Sequence, residues 1–237
     1  MKLIMLVICL MLVFFGCSWA EEMKSGYLEA RMQMVKTQLI DRGIKDERVL
    51  SAMRRVERHL FVPEKYRNQA YADMPLPIGE GQTISQPYIV AFMTEILKLQ
   101  ENDKILEIGT GSGYQAAVLA EICKTVFTIE INEKLAEFAK ENLKHAGYEN
   151  VKTLCGDGYL GWPSEAPFDV IIVTCAPSDI PAPLKEQLAD GGRMIIPVDS
   201  IWGQELVLLT KTGQKIERKD VLPVRFVPMV RDDGTKY

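Results

Sequence analysis

The sequence predicts an α/β fold: a mostly parallel sheet with helices on both faces, an antiparallel C-terminal edge and a helical extension at the N-terminus. Three observations carry this. Between Lys104 and Val198, short apolar runs alternate with amphipathic stretches, the pattern that builds βαβ units. The last two apolar runs are separated only by a turn at Thr212-Gly213, which calls for antiparallel pairing. Before Lys104 the apolar residues recur at helical spacing instead.

The chain starts with Lys2 and an almost continuous apolar run, Leu3–Phe15, with no acidic residue before Glu21. This is shorter than the ~20 residues of a membrane span. With the small-x-small triplet Ser18-Trp19-Ala20 it reads as a secretory signal over residues 1–20, with Gly16-Cys17 as an alternative lipidation site. An exported, periplasmic protein is expected, in contact with the membrane only through that segment. Residues 21–102 are assigned to N-terminal helices and a loop, and 103–237 to the α/β core.

Residues 22–42 and 46–57 read as helices, the second capped by Asp46 and carrying Val49, Met53 and Val56 on one face. Residues 59–86 are expected to be irregular, being broken by Pro63, Pro75, Pro77, Gly79 and Gly81; so long a loop in a compact domain is often functional. Pro87 then opens a helix whose apolar face is Ile89, Phe92, Met93, Ile96 and Leu97. Strands follow at Lys104–Ile108, Thr125–Glu130, Val151–Cys155, Asp169–Thr174 and Arg193–Val198. Helices intervene at Tyr114–Ile122, Glu133–His145 and Pro183–Leu188. Glu205–Thr210 and Val221–Val227 complete the edge.

Composition narrows the function. Of 237 residues, 47% are apolar and 25% charged, which fits a globular chain. Lys and Arg total 28 against 32 Asp and Glu, a net charge of −4, and the pI near 5.4 speaks against a nucleic-acid binder. His59 and His145 are the only histidines, too few for a His-rich metal centre, so no metal is expected; they also leave little material for a Ser–His–Asp hydrolase. Beyond the leader, Cys123, Cys155 and Cys175 show no CxxC spacing and read as buried, inert thiols.

The sharpest motif is Leu106-Glu107-Ile108-Gly109-Thr110-Gly111-Ser112-Gly113-Tyr114, between a strand and a helix at the carboxyl edge of the sheet, where such folds bind ligands. Gly109, Gly111 and Gly113 permit a tight turn and close approach of backbone to ligand. Glu130 ends the next strand, where a carboxylate can accept from both hydroxyls of a ribose. A dinucleotide loop would place its third glycine where Tyr114 stands, and Glu107 would repel phosphate. Glu107 suits an amino-acid ammonium, met directly or through water. The ligand that matches is S-adenosylmethionine, with Asp157 of Gly156-Asp157-Gly158 accepting from the adenine amine. A plain turn residue is the simpler reading of Asp157.

A second polar loop, Pro77 to Pro87, runs into the helix that follows. With Pro87 in the first helical position, Gln86 or Ser85 would cap that helix. With no histidine nearby it is not an activated nucleophile, and orienting a substrate carboxylate is the chemically cheaper role.

Together, Gln82-Thr83-Ile84-Ser85-Gln86-Pro87, the glycine motif, Gly156-Asp157-Gly158, Ala166-Pro167-Phe168-Asp169 and Arg225-Phe226-Val227-Pro228 resemble the protein-L-isoaspartate O-methyltransferase family over about Val35 to Pro228. The Thr-Ile-Ser-Gln-Pro loop is far more restricted to that family than the glycine motif. The resemblance implies a Rossmann-like methyltransferase fold and methyl transfer from S-adenosylmethionine to L-isoaspartyl residues of damaged proteins. It implies that Ser85 is the active-site serine, that Thr83 and Ile84 lie near the donor with Glu107, Gly109, Gly111, Gly113, Glu130, Asp157 and Gly158, and that Val224, Phe226, Val227 and Pro228 hold the substrate peptide. A monomer without nucleic-acid partners is expected. Two departures stand out: Val56-Glu57-Arg58 replaces the usual Pro-Arg before Phe61-Val62-Pro63, and the family is usually cytoplasmic. Thr174-Cys175-Ala176-Pro177 lacks the Asn/Asp-Pro-Pro-aromatic motif common in amino-group methyltransferases. Two alternatives remain: another Rossmann-type methyltransferase acting on a small molecule or protein, and a non-catalytic donor-binding protein, against which the intact Ser85 loop argues.

Overall fold

The computed structural model describes residues 25–231 and 233–237; the expected leader and the first residues of the expected 22–42 helix lie outside these. Helix α1 covers 25–34, then widens into a π turn at Val35–Leu39 and tightens to 3-10 at Ile40–Arg42. Gly43, at φ 95°, stops it. Helix α2 is Glu47–Arg55, and Asp46 caps it by accepting from the Arg48 N–H. The span expected to be irregular holds two 3-10 turns, Arg58–Phe61 and Glu64–Gln69, and a small hairpin, β1 (Leu76–Gly79) with β2 (Gln82–Ile84). Strands of three or four residues are too short to show a period. Helix α3, Pro87–Ile96, has proline in its first turn as expected.

The main sheet contains β3 (Lys104–Ile108), β4 (Thr125–Glu130), β5 (Val151–Cys155), β6 (Phe168–Val173), β7 (Leu188–Ser200), β8 (Gly203–Thr212) and β9 (Lys215–Val224). Their spatial order is β5-β4-β3-β6-β7-β8-β9. The first five are parallel, and β7-β8-β9 is an antiparallel meander. Chain order reverses between β3 and β6, so a crevice opens at their carboxyl ends. Helices α4 (Tyr114–Ala120), α5 (Glu133–His145) and α6 (Ala182–Gln187) connect the strands. No helix among the described residues is long and apolar enough to cross a membrane.

Alternation along each strand divides the core. Ile105, Val126, Val170 and Ile172 face the cluster formed with α1 to α5; Leu106, Ile108, Phe127, Ile129 and Ile171 face the opposite cluster with Leu184 and Leu188. The N-terminal helices therefore share one core with the sheet.

Two expectations need correction. The final strand is not Val221–Val227. The sheet strand is Lys215–Val224, and the chain then leaves β9 and crosses to β6, where Ala176 bridges Pro228 in parallel. Here the Ala176 N–H donates to the Val227 carbonyl (2.8 Å) and the Met229 N–H to the Ala176 carbonyl (2.9 Å). Pro228 has no N–H of its own to give a ladder. Cys155 is exposed, not buried, because β5 is an edge strand with one uncovered face. Cys123 is buried as expected and Cys175 is half-buried.

Candidate active site

Two cavities meet at the carboxyl edge of the sheet. One, of about 600 Å³, is bounded by Gly109 and Gly111 of the glycine turn, Ile129 to Glu133 after β4, Gly158, Thr174 and the segment Val227–Arg231. The other, of about 780 Å³, is a cleft between the Ser85 loop and Pro223–Pro228. Thr83, Thr174, Val227 and Pro228 border both.

The glycine turn is built by close packing. Gly109 has φ 93°, and a Cβ placed on it would stand 2.5 Å from Thr174 Oγ1. That hydroxyl lies within hydrogen-bond reach of the carbonyls of Ile108 (3.0 Å) and Gly109 (2.7 Å). Glu130 locks the turn from the other side: one carboxylate oxygen accepts from the Gly111 N–H (2.8 Å), the other from the Asn132 N–H (3.0 Å). Each oxygen keeps a further lone pair directed at the first cavity, which Glu130 lines. Gly158 needs its missing side chain for another reason: a Cβ there would lie 2.4 Å from Ile108 Cγ2. Gly113 caps the start of α4 against Leu143.

Glu107 sits elsewhere than its expected direct role requires. Parallel register places it opposite Thr128, on the helical side of the sheet, fully buried and away from the cavity walls. Thr128 donates to its Oε2 at 2.5 Å, and Thr128 and Thr110 are joined at 2.6 Å. Burial pushes its carboxyl up to about 8, and nearby Glu130 adds to the rise. Burial thus favours the protonated form of Glu107, which is linked to the turn through Thr128 and Thr110, and its Oε1 has no partner among the described residues. A direct contact with an ammonium is excluded by this burial; only an indirect one is open.

Ser85 does not cap α3. The cap position is Gln86, without a side-chain bond, and Gln86 reaches instead to Asp73 (2.8 Å). Ser85 lines the cleft. Its carbonyl is held from behind by Arg58 Nη2 (2.8 Å), while Arg58 Nε binds the Ala70 carbonyl (2.7 Å). Arg58 is completely buried and lies over the Tyr114 ring. Its neighbour Glu57 pairs with Arg31 (3.2 Å), so the departure at Val56-Glu57-Arg58 is absorbed locally. Thr83 lies where the cavities join, but Ile84 is buried in the core and lines neither. Val224, Phe226, Val227 and Pro228 all line the cleft, with Phe226 held by Gln204 through its N–H (2.6 Å) and its carbonyl (3.3 Å). Asp157 accepts from the Tyr159 N–H (2.9 Å) just behind Gly158. His59 is engaged with Tyr71 (2.8 Å) and stacked on Tyr27. Neither histidine lines either cavity.

The profile of protein-L-isoaspartate(D-aspartate) O-methyltransferases matches residues 30–234. The chain belongs to the protein-L-isoaspartate O-methyltransferase family. It is 55% identical over 215 residues to protein-L-isoaspartate O-methyltransferase 2 of Shewanella sediminis, covering 89% of this chain and 88% of that one. It is also 55% identical over 205 residues to protein-L-isoaspartate O-methyltransferase 1 of Syntrophobacter fumaroxidans, covering 86% and 96%. Among solved structures, a protein-L-isoaspartate O-methyltransferase superposes with a TM-score of 0.77 at 32% identity, over 86% of this chain and 67% of that one. A Plasmodium falciparum chain described as a member of the family, in complex with S-adenosyl-L-homocysteine, gives 0.76 at 27% identity, over 85% and 98%.

Thr174, Arg58, Asn132 and Gln204 escaped the sequence reading. Thr174, Arg58 and Gln204 act on segments distant in sequence, at Gly109, Ser85 and Phe226, and Asn132 works through its main-chain N–H to Glu130, which no motif marks.

Two predictions follow from this geometry. Gly109→Ala should lose ligand uptake in the first cavity and lower the melting temperature, since positive φ and the Thr174 clash act together; calorimetry and thermal unfolding check this. For Glu107, the folded carboxyl is raised above its unfolded value of 4.5. The unfolded chain therefore releases this proton first, and the group's contribution to stability declines as pH rises from about 4.5 to about 8. Glu107→Gln removes that decline, so its stability relative to wild type should improve across this window by on the order of 1 kcal/mol per pH unit. Denaturant unfolding at pH 5, 6, 7 and 8 measures it.

Proposed function

We propose that this chain transfers a methyl group from S-adenosylmethionine to the α-carboxylate of L-isoaspartyl residues in damaged proteins, the step that starts their repair. The observation that carries the reading is the shared wall of Thr83, Thr174, Val227 and Pro228: a glycine-floored chamber for the donor abuts a second cleft of about 780 Å³, with Ser85 in that cleft.

The donor fits the residues present. The floor at Gly109 admits no Cβ, and the carboxylate of Glu130 has hydrogen-bonding capacity left beside it. When bound, S-adenosylmethionine supplies a methyl group made electrophilic by its sulfonium. Glu130 would hold the ribose hydroxyls, with Gly158 at the base and Asp157, which lines neither cavity, behind it. No metal cluster is found among the described residues.

The acceptor needs no base. An isoaspartyl α-carboxylate, with an ordinary value of about 3.5, is already ionised at neutral pH. This agrees with the engagement of His59 elsewhere. Ser85 Oγ donates to and orients the acceptor oxygen, and the Arg58 anchor fixes the backbone from which it projects. Val227 and Pro228 form the threshold that keeps water from the reacting atoms. Alignment of this sort contributes several kcal/mol, about the scale of measured intramolecular advantages. The methyl ester then closes to a succinimide by attack of its own backbone nitrogen with loss of methanol, and hydrolysis returns part of it to aspartate.

The reading extends to an acidic, monomeric protein with no nucleic-acid partner, exported by residues 1–20. The net charge of −4 and the apolar run Leu3–Phe15 support the charge and export parts. Mass analysis of the mature N-terminus from fractionated cells tests the export.

Ser85→Ala should reduce methyl transfer to an isoaspartyl peptide by at least about tenfold while changing S-adenosylhomocysteine affinity less than about twofold. Equal loss of both would make Ser85 structural. Glu130→Gln puts an N–H₂ where two N–H donors converge, and should weaken S-adenosylhomocysteine by about tenfold or more in calorimetry. The paired aspartyl peptide should accept no methyl group from any variant.

A further inference from the structure

We propose that Tyr237 is a positioning residue that sets donor specificity, aligning the Asp157 carboxylate to read an exocyclic purine amine and clipping the segment after Pro228 over the donor chamber. This rests on the donor reading above and deepens it.

The roof of the chamber is formed by Met229, Val230, Arg231 and Gly234. That segment turns back on itself: the Arg231 N–H donates to the Thr235 carbonyl (2.8 Å), the Gly234 N–H to the Arg231 carbonyl (2.9 Å), and Val230 bridges Lys236. The turn alone would hang free at the sheet edge. Tyr237 ties it down. Its ring lies flat on Tyr159, centroids 4.1 Å apart and planes 9° from parallel. The Arg231 guanidinium stands 4.2 Å from the same ring, which a stacked neighbour leaves room for only on the other face. Its N–H donates to the Met229 carbonyl (3.1 Å), and Ser178 donates to its main-chain oxygen from both its N–H (3.1 Å) and its hydroxyl (2.6 Å). Lys236 pairs with Asp199 beside it.

The hydroxyl of Tyr237 donates to Asp157 Oδ2, while Oδ1 accepts from the Tyr159 N–H (2.9 Å). Two donors, one on each oxygen, fix the plane of the carboxylate. A carboxylate accepts about four hydrogen bonds, so lone pairs remain for a ligand. Acceptors held in place favour an amine and oppose a carbonyl at the same ring position, because an acceptor facing an acceptor leaves both unpaired. Gly158, the next residue, lines the chamber, and Asp157 stands behind it, outside the lining, so the amine meets the carboxylate past the bare Gly158 backbone.

The test uses the full chain with Tyr237→Phe, which keeps the ring stack and deletes one hydroxyl, and Tyr237→Ala, which deletes both. Affinities for S-adenosylhomocysteine and for its 6-oxo counterpart, S-inosylhomocysteine, are measured by calorimetry. Wild type should favour the amine form by about tenfold or more. Tyr237→Phe should cut that preference several-fold at an unchanged melting temperature, and Tyr237→Ala should also speed dissociation of both ligands. An unchanged preference in Tyr237→Phe, or equal weakening of both ligands, overturns the proposal. So does tighter binding by Tyr237→Phe, which would show Tyr237 standing in the amine's place. Wild type that binds neither ligand overturns the donor reading, and this inference with it.

Discussion

The site depends on one carboxylate. Glu130 closes a bridge between two main-chain N–H groups, Gly111 in the glycine turn and Asn132 at the entrance to α5. Without it, both half-buried donors would lose a charged acceptor. The bridge sets the distance between the two turns, and that distance is the width of the donor chamber. A residue that looked from its position like a ligand contact is therefore also the strut of its own binding site. Asn132, in turn, caps α5 through the Leu135 N–H (3.1 Å), so the strut continues into a helix.

Behind the turn, the sheet register provides a second layer. Because Glu107 and Thr128 are cross-strand partners, an acid that repels phosphate becomes part of a buried chain running through Thr128 to Thr110. The acceptor side shows the same logic. Arg58 reaches from one 3-10 turn to the carbonyls of Ala70 and Ser85, so one guanidinium spans the whole stretch that sequence reading left formless. Order in that stretch comes from a buried cation and a short hairpin, not from helical or strand periodicity.

That contrast explains what the sequence disclosed. Long periodic elements, α5 and the parallel strands β3, β4 and β6, were legible because burial imposes a pattern on them. The glycine motif and Glu130 were legible because chemistry restricts those positions. The hairpin β1–β2 was not, since strands of three or four residues carry no period. The course of Val224–Pro228 was also hidden: its apolar residues look like a sheet strand, but their partners are Ala176, just beyond β6, and Gln204 at the start of β8. Glu107 was read as facing a ligand because a linear motif does not say on which side of the sheet its second residue points.

The outer strand β9 carries a further consequence. It has no neighbour on one side, and its first six residues are Lys215-Ile216-Glu217-Arg218-Lys219-Asp220. Lys215 pairs with Glu217 (2.7 Å) and Arg218 with Asp220 (2.8 Å), so the rim is dressed in satisfied, hydrated charge. A protein that takes in aged, partly unravelled chains risks annealing them onto its own border as extra strands. This salted hem makes such grafting costly, since each new rung would strip water from ions, and it leaves the groove beside Ser85 as the place where a stray polypeptide can settle.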